Sequence, residues 1–364
     1  MIILHFAPIN MTKANGFRFS VPGLVSAQSK LNGIYSGLLN IKGLSVLKKK
    51  EIEKFKFDFF PEFVDISKLD KPYNNPDIVV FHGVYHMEYI KLYKKLIQKK
   101  IPYVIVPRAS LTLEAQQQRY LKKKIGNLLY FNKFIYNASK IHYLTENEMK
   151  FSKAFRKEYF IVPNGIDIPN EYRKNINENL NITFIGRYDV NHKGLDILIE
   201  SIKKIRKELA NNNVIINLYG SDFRNGKKYL EEKVKEYNLS KSCFINNSIF
   251  GEEKKEVLLN TDIFITTSRF EGHPMAVIEA MAYGIPCILT EGTNMTDVMN
   301  RYNAGWKADL DPNSVAEIIL KSISDKKLIK IKGENARKLV EENYAWNNIA
   351  IKTIEEYRKI IKKA

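Results

Sequence analysis

At 364 residues the chain is long enough for two domains, and 45% hydrophobic with 27% charged residues supplies apolar material for two cores and excludes wholesale disorder. Its net charge of +18 is uneven, with 27 Lys+Arg against 13 Asp+Glu in residues 1–170 and 31 against 27 in residues 171–364. Anionic membrane or nucleic acid would be drawn to the first half, and a solvated lysine bias accounts for part of the excess.

The start, MIILHFAP, has no basic n-region and reads as a first strand, not a signal peptide. No apolar run approaches the roughly 18–20 residues of a spanning helix. Residues 10–23 are a polar, glycine-containing loop, and Leu24, Val25, Ala27 and Leu31 mark one face of a following helix. Residues 78–81 form a strand, so His82 stands at a carboxyl end, where open α/β sheets bind ligands. A structural histidine fits that position equally well. Residues 101–106 form another strand, closed by Pro107-Arg108-Ala109-Ser110. Residues 114–134 read as a basic helical stretch with Tyr120, Leu128, Leu129, Tyr130, Phe131 and Phe134 interleaved. The spacing favours core over membrane anchor for these side chains. Residues 140–144 and 159–162 are the last strands of this half, and Pro163-Asn164-Gly165-Ile166-Asp167 breaks structure.

The second half opens on a strand, 182–185, ending at Gly186-Arg187, and Lys193-Gly194 precedes a helix through Leu195, Leu198, Ile199 and Ile202. Strands follow at 215–219 and 243–245, with a helix at 227–237 between them. Cys243 and Cys287 are the only cysteines, which argues for a reducing cytoplasm and against a disulfide framework or cysteine metal site. Asp309-Leu310-Asp311 has the spacing of a metal-binding pair, but Pro312-Asn313-Ser314 after it reads as a helix cap. There is no GxxxxGK[ST] and no GxGxxG. Residues 314–324, 326–342 and 346–361 are closing helices.

Residues 261–291 organise the second half: strand, loop, helix, strand. Residues 263–266 are a β-branched apolar run, Pro274 suits the first helical position, and Gly284 with Ile285-Pro286 stops the helix. A helix N-terminus carries free N–H groups and about half a positive charge, so it attracts anions. Glu271 and Glu279 flank that end. A carboxylate there has a use if it accepts from a polyol, which together with a phosphate describes a nucleotide sugar. A plain βαβ unit with two solvated glutamates has the same spacing. Arg187 and Lys193 at their spacing are by themselves more often a solvated pair, although fixed cations of this kind are what a departing diphosphate needs.

Glu271-Gly272-His273-Pro274-Met275 with Glu279, then Ala282-x-Gly284-x-Pro286, resembles the donor-site signature of retaining GT-B glycosyltransferases of family GT4. Gly186-Arg187 with Lys193-Gly194 and the 163–167 segment resemble further motifs of that family. The resemblance is specific over about 160–350 and only architectural before it. It implies two Rossmann-like α/β domains facing across a cleft. The expected division is 1–165 plus 347–364 for the acceptor and 166–346 for the donor, with the terminal helix crossing back. Trp346, Ile349, Ile354, Tyr357 and Ile360 are its expected seam.

The resemblance also assigns roles. Glu271 meets the donor sugar, Glu279 the ribose diol, and Arg187 with Lys193 the diphosphate. Gly186, Gly272, His273, Pro274, Met275 and Ala276 line the donor site, His273 standing where the family more often has Phe. Gly16 is a candidate for approach to the diphosphate, and an ordinary turn is as good a reading. His82 would lie near the sugar, and Arg108 near an acceptor phosphate, although Ala109 replaces the usual glycine there.

The implied function is metal-independent, retaining transfer from a nucleotide-diphosphate sugar, UDP by family frequency, with no cofactor. The basic first half suggests a lipid-linked saccharide acceptor at an anionic inner-membrane face, in capsule or O-antigen synthesis. The chain would then be cytoplasmic and peripheral, without a nucleic-acid partner. The alternatives are another GT-B enzyme (a glycogen- or sucrose-synthase-like transferase, or a nucleotide-sugar epimerase) and a non-catalytic basic binding protein.

Overall fold

A computed structural model describes residues 1–10, 17–43, 53, 55–62, 65–117, 120–152, 155, 157–173, 176 and 178–363. The chain divides into two compact units, Met1–Gly165 with Trp346–Ala364, and Ile166–Ala345.

The first unit is built on a parallel sheet of β1 (Ile2–Ala7), β2 (Tyr35–Asn40), β3 (Asp58–Phe60), β4 (Ile78–His82), β5 (Tyr103–Val106), β6 (Lys140–Tyr143) and β7 (Tyr159–Ile161). Its order is β3-β2-β1-β4-β5-β6-β7, so β4 is central and β1 lies beside it. Ile3 pairs with Ser36 on one side and Ile78 on the other. The strands β1, β4 and β5 are largely apolar runs because helices cover both faces, which leaves no solvated side to demand alternation. Phe6, Phe81, Tyr89, Tyr103 and Phe134 fill one face. On the other, the terminal helix Trp346–Ile361 packs Ile349, Ile354, Tyr357 and Ile360 against Ile3, Ile78 and Val104.

The second unit repeats the scheme with β8 (Asn181–Ile185), β9 (Ile215–Tyr219), β10 (Cys243–Asn246), β11 (Ile263–Thr266), β12 (Cys287–Thr290) and β13 (Gly305–Ala308). The order is β10-β9-β8-β11-β12-β13, all parallel. The direction of winding reverses between β8 and β11. At such a reversal the connecting segments diverge and leave a crevice at the strand carboxyl ends.

Several expectations need correcting. The helix Phe17–Ser29 takes in part of the expected loop, with Pro22 inside it. Gly23 lets the helix pack closely on the terminal helix, since a Cβ there would lie 2.5 Å from the Trp346 ring. Leu31 falls in the turn after the helix yet packs on the core. Of the aromatic and apolar residues in 114–134, Phe131 and Phe134 are buried, whereas Tyr120, Leu128, Leu129 and Tyr130 are exposed. Pro274 is the residue before the helix Met275–Ala282, not its first. Asp311 caps the helix Pro312–Ile323, accepting from Asn313 N and Ser314 N. Gly16 lies outside the described residues. Among the described residues, no helix is long and apolar enough to cross a membrane.

Candidate functional site

The crevice at the β8–β11 reversal holds a cavity of about 250 Å³ in the second unit. Gly186, Lys193, Glu271, His273, Pro274, Met275 and Ala276 line it, with Phe184, Phe264 and Thr266 behind them. Residues far apart in sequence thus meet because two parallel strands end side by side.

Lys193 and Glu271 form the polar centre. Lys193 Nζ donates to Glu271 Oε1 at 2.5 Å, and Ser268 Oγ donates to the same oxygen at 2.7 Å. The Asn294 amide donates to the Glu271 carbonyl. Both Lys193 and Glu271 are largely buried, with side chains 19% and 13% exposed. A buried charge needs a partner, and here each is the other's.

Backbone geometry fixes this pair. Gly194 sits at φ +62°, and a Cβ there would stand 2.0 Å from the Thr267 carbonyl oxygen. Thr267 Oγ1 donates to Gly194 O at 2.8 Å. Arg269 locks the same two loops, with Nη1 and Nη2 on the two Asp196 carboxylate oxygens at 2.8 and 2.7 Å. Its Nη1 also donates to Asn191 O at 2.6 Å. A planar guanidinium on both oxygens of a carboxylate is the most directional ion pair available to a protein.

The helix Met275–Ala282 points its N-terminus into the cavity, and no side chain caps it. Gly272 has no atom within 4 Å of where its Cβ would be, so protein packing does not demand glycine there. His273 Nδ1 lies 3.1 Å from Met275 Sδ, with its ring edge-on to Tyr344.

Gly272 and two expected charged donor residues, Arg187 and Glu279, are not among the cavity-lining residues. Arg187 lies with its guanidinium 4.3 Å above the Phe223 ring and Nη2 3.1 Å from Asp189 Oδ2. Half of its side chain is exposed. Glu279 is held by the Lys254 ammonium from the helix Gly251–Leu259.

In the first unit, His82 is completely buried. Its Nε2 meets His5 Nδ1 at 3.0 Å, and His5 Nε2 meets Gln28 Oε1 at 2.9 Å. Gln28 Nε2 continues to Thr353 Oγ1 on the terminal helix at 2.9 Å. Arg108 Nη2 lies 3.4 Å from His82 Nδ1 and Nη1 donates to Ser20 Oγ at 2.8 Å. His82 therefore faces Arg108 and not an open surface. Burial lowers His5 to about 4 and keeps His82 well below the ordinary imidazole value, so both rings are neutral at pH 7.

Arg108 and Ala109 both have positive φ, 53° and 63°. Ala109 thus adopts a conformation that glycine reaches without cost. Glu148 holds that turn, accepting from Ala109 N at 2.5 Å and Leu144 N at 2.8 Å.

Sequence reasoning missed Ser268, Asn294, Arg269, Asp196 and Lys254. None carries a local signal, since each is an ordinary polar residue until the fold brings its partner alongside.

Among the described residues no group of three His, Cys, Asp or Glu side chains is placed to hold a metal ion.

Residues 168–339 match the family described as Glycosyl transferases group 1. The chain is 28% identical over 179 residues to an uncharacterised glycosyltransferase of Methanocaldococcus jannaschii, covering 49% of this chain and 44% of that protein. It is 25% identical over 329 residues to a second one from the same organism, covering 85% and 79%. The capsular polysaccharide biosynthesis glycosyltransferase CapM of Staphylococcus aureus is 26% identical over 57% of this chain and 53% of its own length. The first and third matches thus take in about half of the relative. The Anabaena protein HepE, solved in complex with UDP, superposes with a TM-score of 0.74 at 15% identity, covering 99% of this chain and all of its own. The second unit is a group 1 glycosyltransferase domain, and the two Rossmann-like sheets are those of the GT-B fold.

Proposed function

We propose that the chain is a retaining glycosyltransferase that moves a sugar from a nucleotide-diphosphate sugar, UDP by preference, to a lipid-linked saccharide in surface-polysaccharide synthesis. The observation that carries this reading is the cavity with the Lys193–Glu271 pair and an uncapped helix N-terminus on one wall.

A diphosphate entering there meets the N–H group at Ala276, the ammonium of Lys193 and, once it leaves the His273 carbonyl, the N–H group at Met275. Lys193 then exchanges a carboxylate partner for a phosphate one. The carboxylate it leaves accepts from sugar hydroxyls, so Glu271 is released for its role by the same event. Gly272, with open space beside its Cα, lets that loop's backbone approach the sugar. As the bond from the anomeric carbon to the phosphate oxygen breaks, negative charge gathers on the diphosphate. Lys193 and the helix terminus are already aimed at it, so they stabilise the transition state without reorganising. The acceptor hydroxyl attacks from the face the diphosphate leaves, and its proton passes to the departing phosphate oxygen. Arg187 joins by moving off Phe223, and Glu279 binds the ribose diol once Lys254 yields. Catalysis needs no further cofactor in this scheme.

The membrane acceptor is supported by the basic first half and by the similarity to CapM. Arg108, at the carboxyl end of β5, is the cation offered to an acceptor phosphate.

The test supplies UDP-, GDP- and ADP-sugars with a polyprenyl-diphosphate saccharide and follows nucleotide release and the anomeric configuration of the product. Transfer with retained configuration from one nucleotide class supports the reading. Inverted product sinks the mechanism, and no turnover with any donor sinks the function.

A further inference from the structure

Leu121, Ile125, Leu128 and Leu129 are all exposed, Leu121 by 71% and Leu128 by 75%. They recur at i, i+4, i+7 and i+8 along the helical run Tyr120–Gly126 and Asn127–Phe131, the spacing of a single face. Leu113 and Tyr130 extend the apolar surface. Within the run Phe131 alone is buried, and Phe134 and Ile135 of the following helix Asn132–Asn137 make the core contact. A helical run that turns Leu121, Ile125, Leu128 and Leu129 to water on one face is not explained by folding. Contiguous exposed apolar surface of that kind marks a contact site.

The charge around the stripe says what it contacts. Lys122 and Lys124 are exposed within the run, and Lys133 follows it. Between residues 113 and 137 the sequence has five basic residues and a single acidic one, Glu114. Beside Leu128 lies a cavity of about 320 Å³ lined by Gln116, Tyr120, Lys123, Lys124, Asn127 and Asn132. Ammonium, phenol and amide groups around a shallow hollow suit a phosphate headgroup. An apolar stripe flanked by lysines on a helix lacking the length to span is the pattern of an element lying in a membrane interface.

We propose that residues 113–117 and 120–137 dock the first unit on an anionic lipid bilayer, with Leu121, Ile125, Leu128 and Leu129 inserted among the acyl chains and Lys122 and Lys124 at the headgroups. The segment begins five residues after Arg108, and Gln116 Nε2 donates to Ser110 O at 2.7 Å, so it is tied to that loop. Under the transferase reading, on which this last point rests, a lipid-borne phosphate is presented to Arg108 by the surface the helix lies on.

The experiment is co-sedimentation of the full chain with phosphatidylcholine vesicles, with and without phosphatidylglycerol, for the wild type and for Leu128→Glu/Leu129→Glu. Both leucines are exposed, so the variant folds, and an unchanged nucleotide-induced melting shift verifies this. The wild type is expected to sediment with the anionic vesicles only, less so in high salt, and the variant to bind them roughly tenfold more weakly or worse. Wild type left in the supernatant, or a variant that binds like wild type, overturns the proposal. So does a variant that only dissociates a dimer, which makes the face a contact between copies. Vesicle binding without turnover of any donor would instead sink the transferase reading and leave the docking surface standing.

Discussion

Lys193→Ala tests the donor cavity at its centre. An ammonium about 4 Å from a phosphate oxygen is worth roughly 4 kcal/mol at an effective dielectric of about 20. The structure adds a second cost. Lys193 is the ammonium on Glu271, whose side chain is only 13% exposed. Without it a carboxylate faces the incoming diphosphate with Ser268 as its remaining side-chain donor. Losing one such preorganised group lowers kcat by roughly 10²–10³-fold. The repulsive part disappears when Glu271 is neutralised as well. Lys193→Ala/Glu271→Gln is therefore expected to be less impaired than the two single changes multiplied together. The assay is the initial rate of nucleotide release for the four proteins of the cycle. A Lys193→Ala rate within about threefold of wild type, or two independent effects, would refute the reasoning.

Gly194→Ala places a Cβ 2.0 Å from the Thr267 carbonyl oxygen at a positive φ. It should cost roughly 2–3 kcal/mol and lower the melting temperature by several degrees, and an unchanged melting curve would contradict that placement. Asp196→Asn breaks the Arg269 fork at a partly exposed site, so a loss of roughly 1 kcal/mol with about fivefold weaker nucleotide binding is expected in a titration. Equal affinity would show that the fork does not position the loop. Burial holds His5 and His142 at about 4, against 6.5 for a free imidazole, and His82 well below it. The folded protein thus binds fewer protons than the unfolded chain below pH 6.5. Stability is whole above that value and falls as pH drops toward 4, by up to about 1.4 kcal/mol per histidine per unit. Urea midpoints that stay flat between about pH 7 and about pH 5 would contradict this.

The segment 263–290 was legible almost to the residue. A fully buried strand is a short apolar run, and Gly284 at φ +74° ends the helix where a side chain would be strained. The strands β2 and β3 were not legible. Tyr35-Ser36-Gly37-Leu38-Leu39-Asn40 lacks β-branched residues, and Gly37 is there because Tyr73 crosses it, a Cβ meeting that ring at 2.8 Å. Helical spacing picked out the apolar residues of 114–134 but does not say which of them the core takes, and the structure buries Phe131 and Phe134 while leaving Tyr120, Leu128, Leu129 and Tyr130 exposed. In the site, Lys193 and Glu271 are named by the motif resemblance, yet their direct ion pair is a product of the fold. Arg187 matches its motif, but its place over Phe223 and beside Asp189 is set by the fold and carries no local signal.

The most direct measurement is the melting shift of the full chain with UDP, GDP and ADP, for the wild type and Lys193→Ala. A nucleotide at a hundred times its dissociation constant adds about 2.7 kcal/mol, a shift of several degrees. The account predicts that shift from UDP in the wild type and its loss in Lys193→Ala. No shift from any nucleotide, or one that survives the substitution, would contradict it.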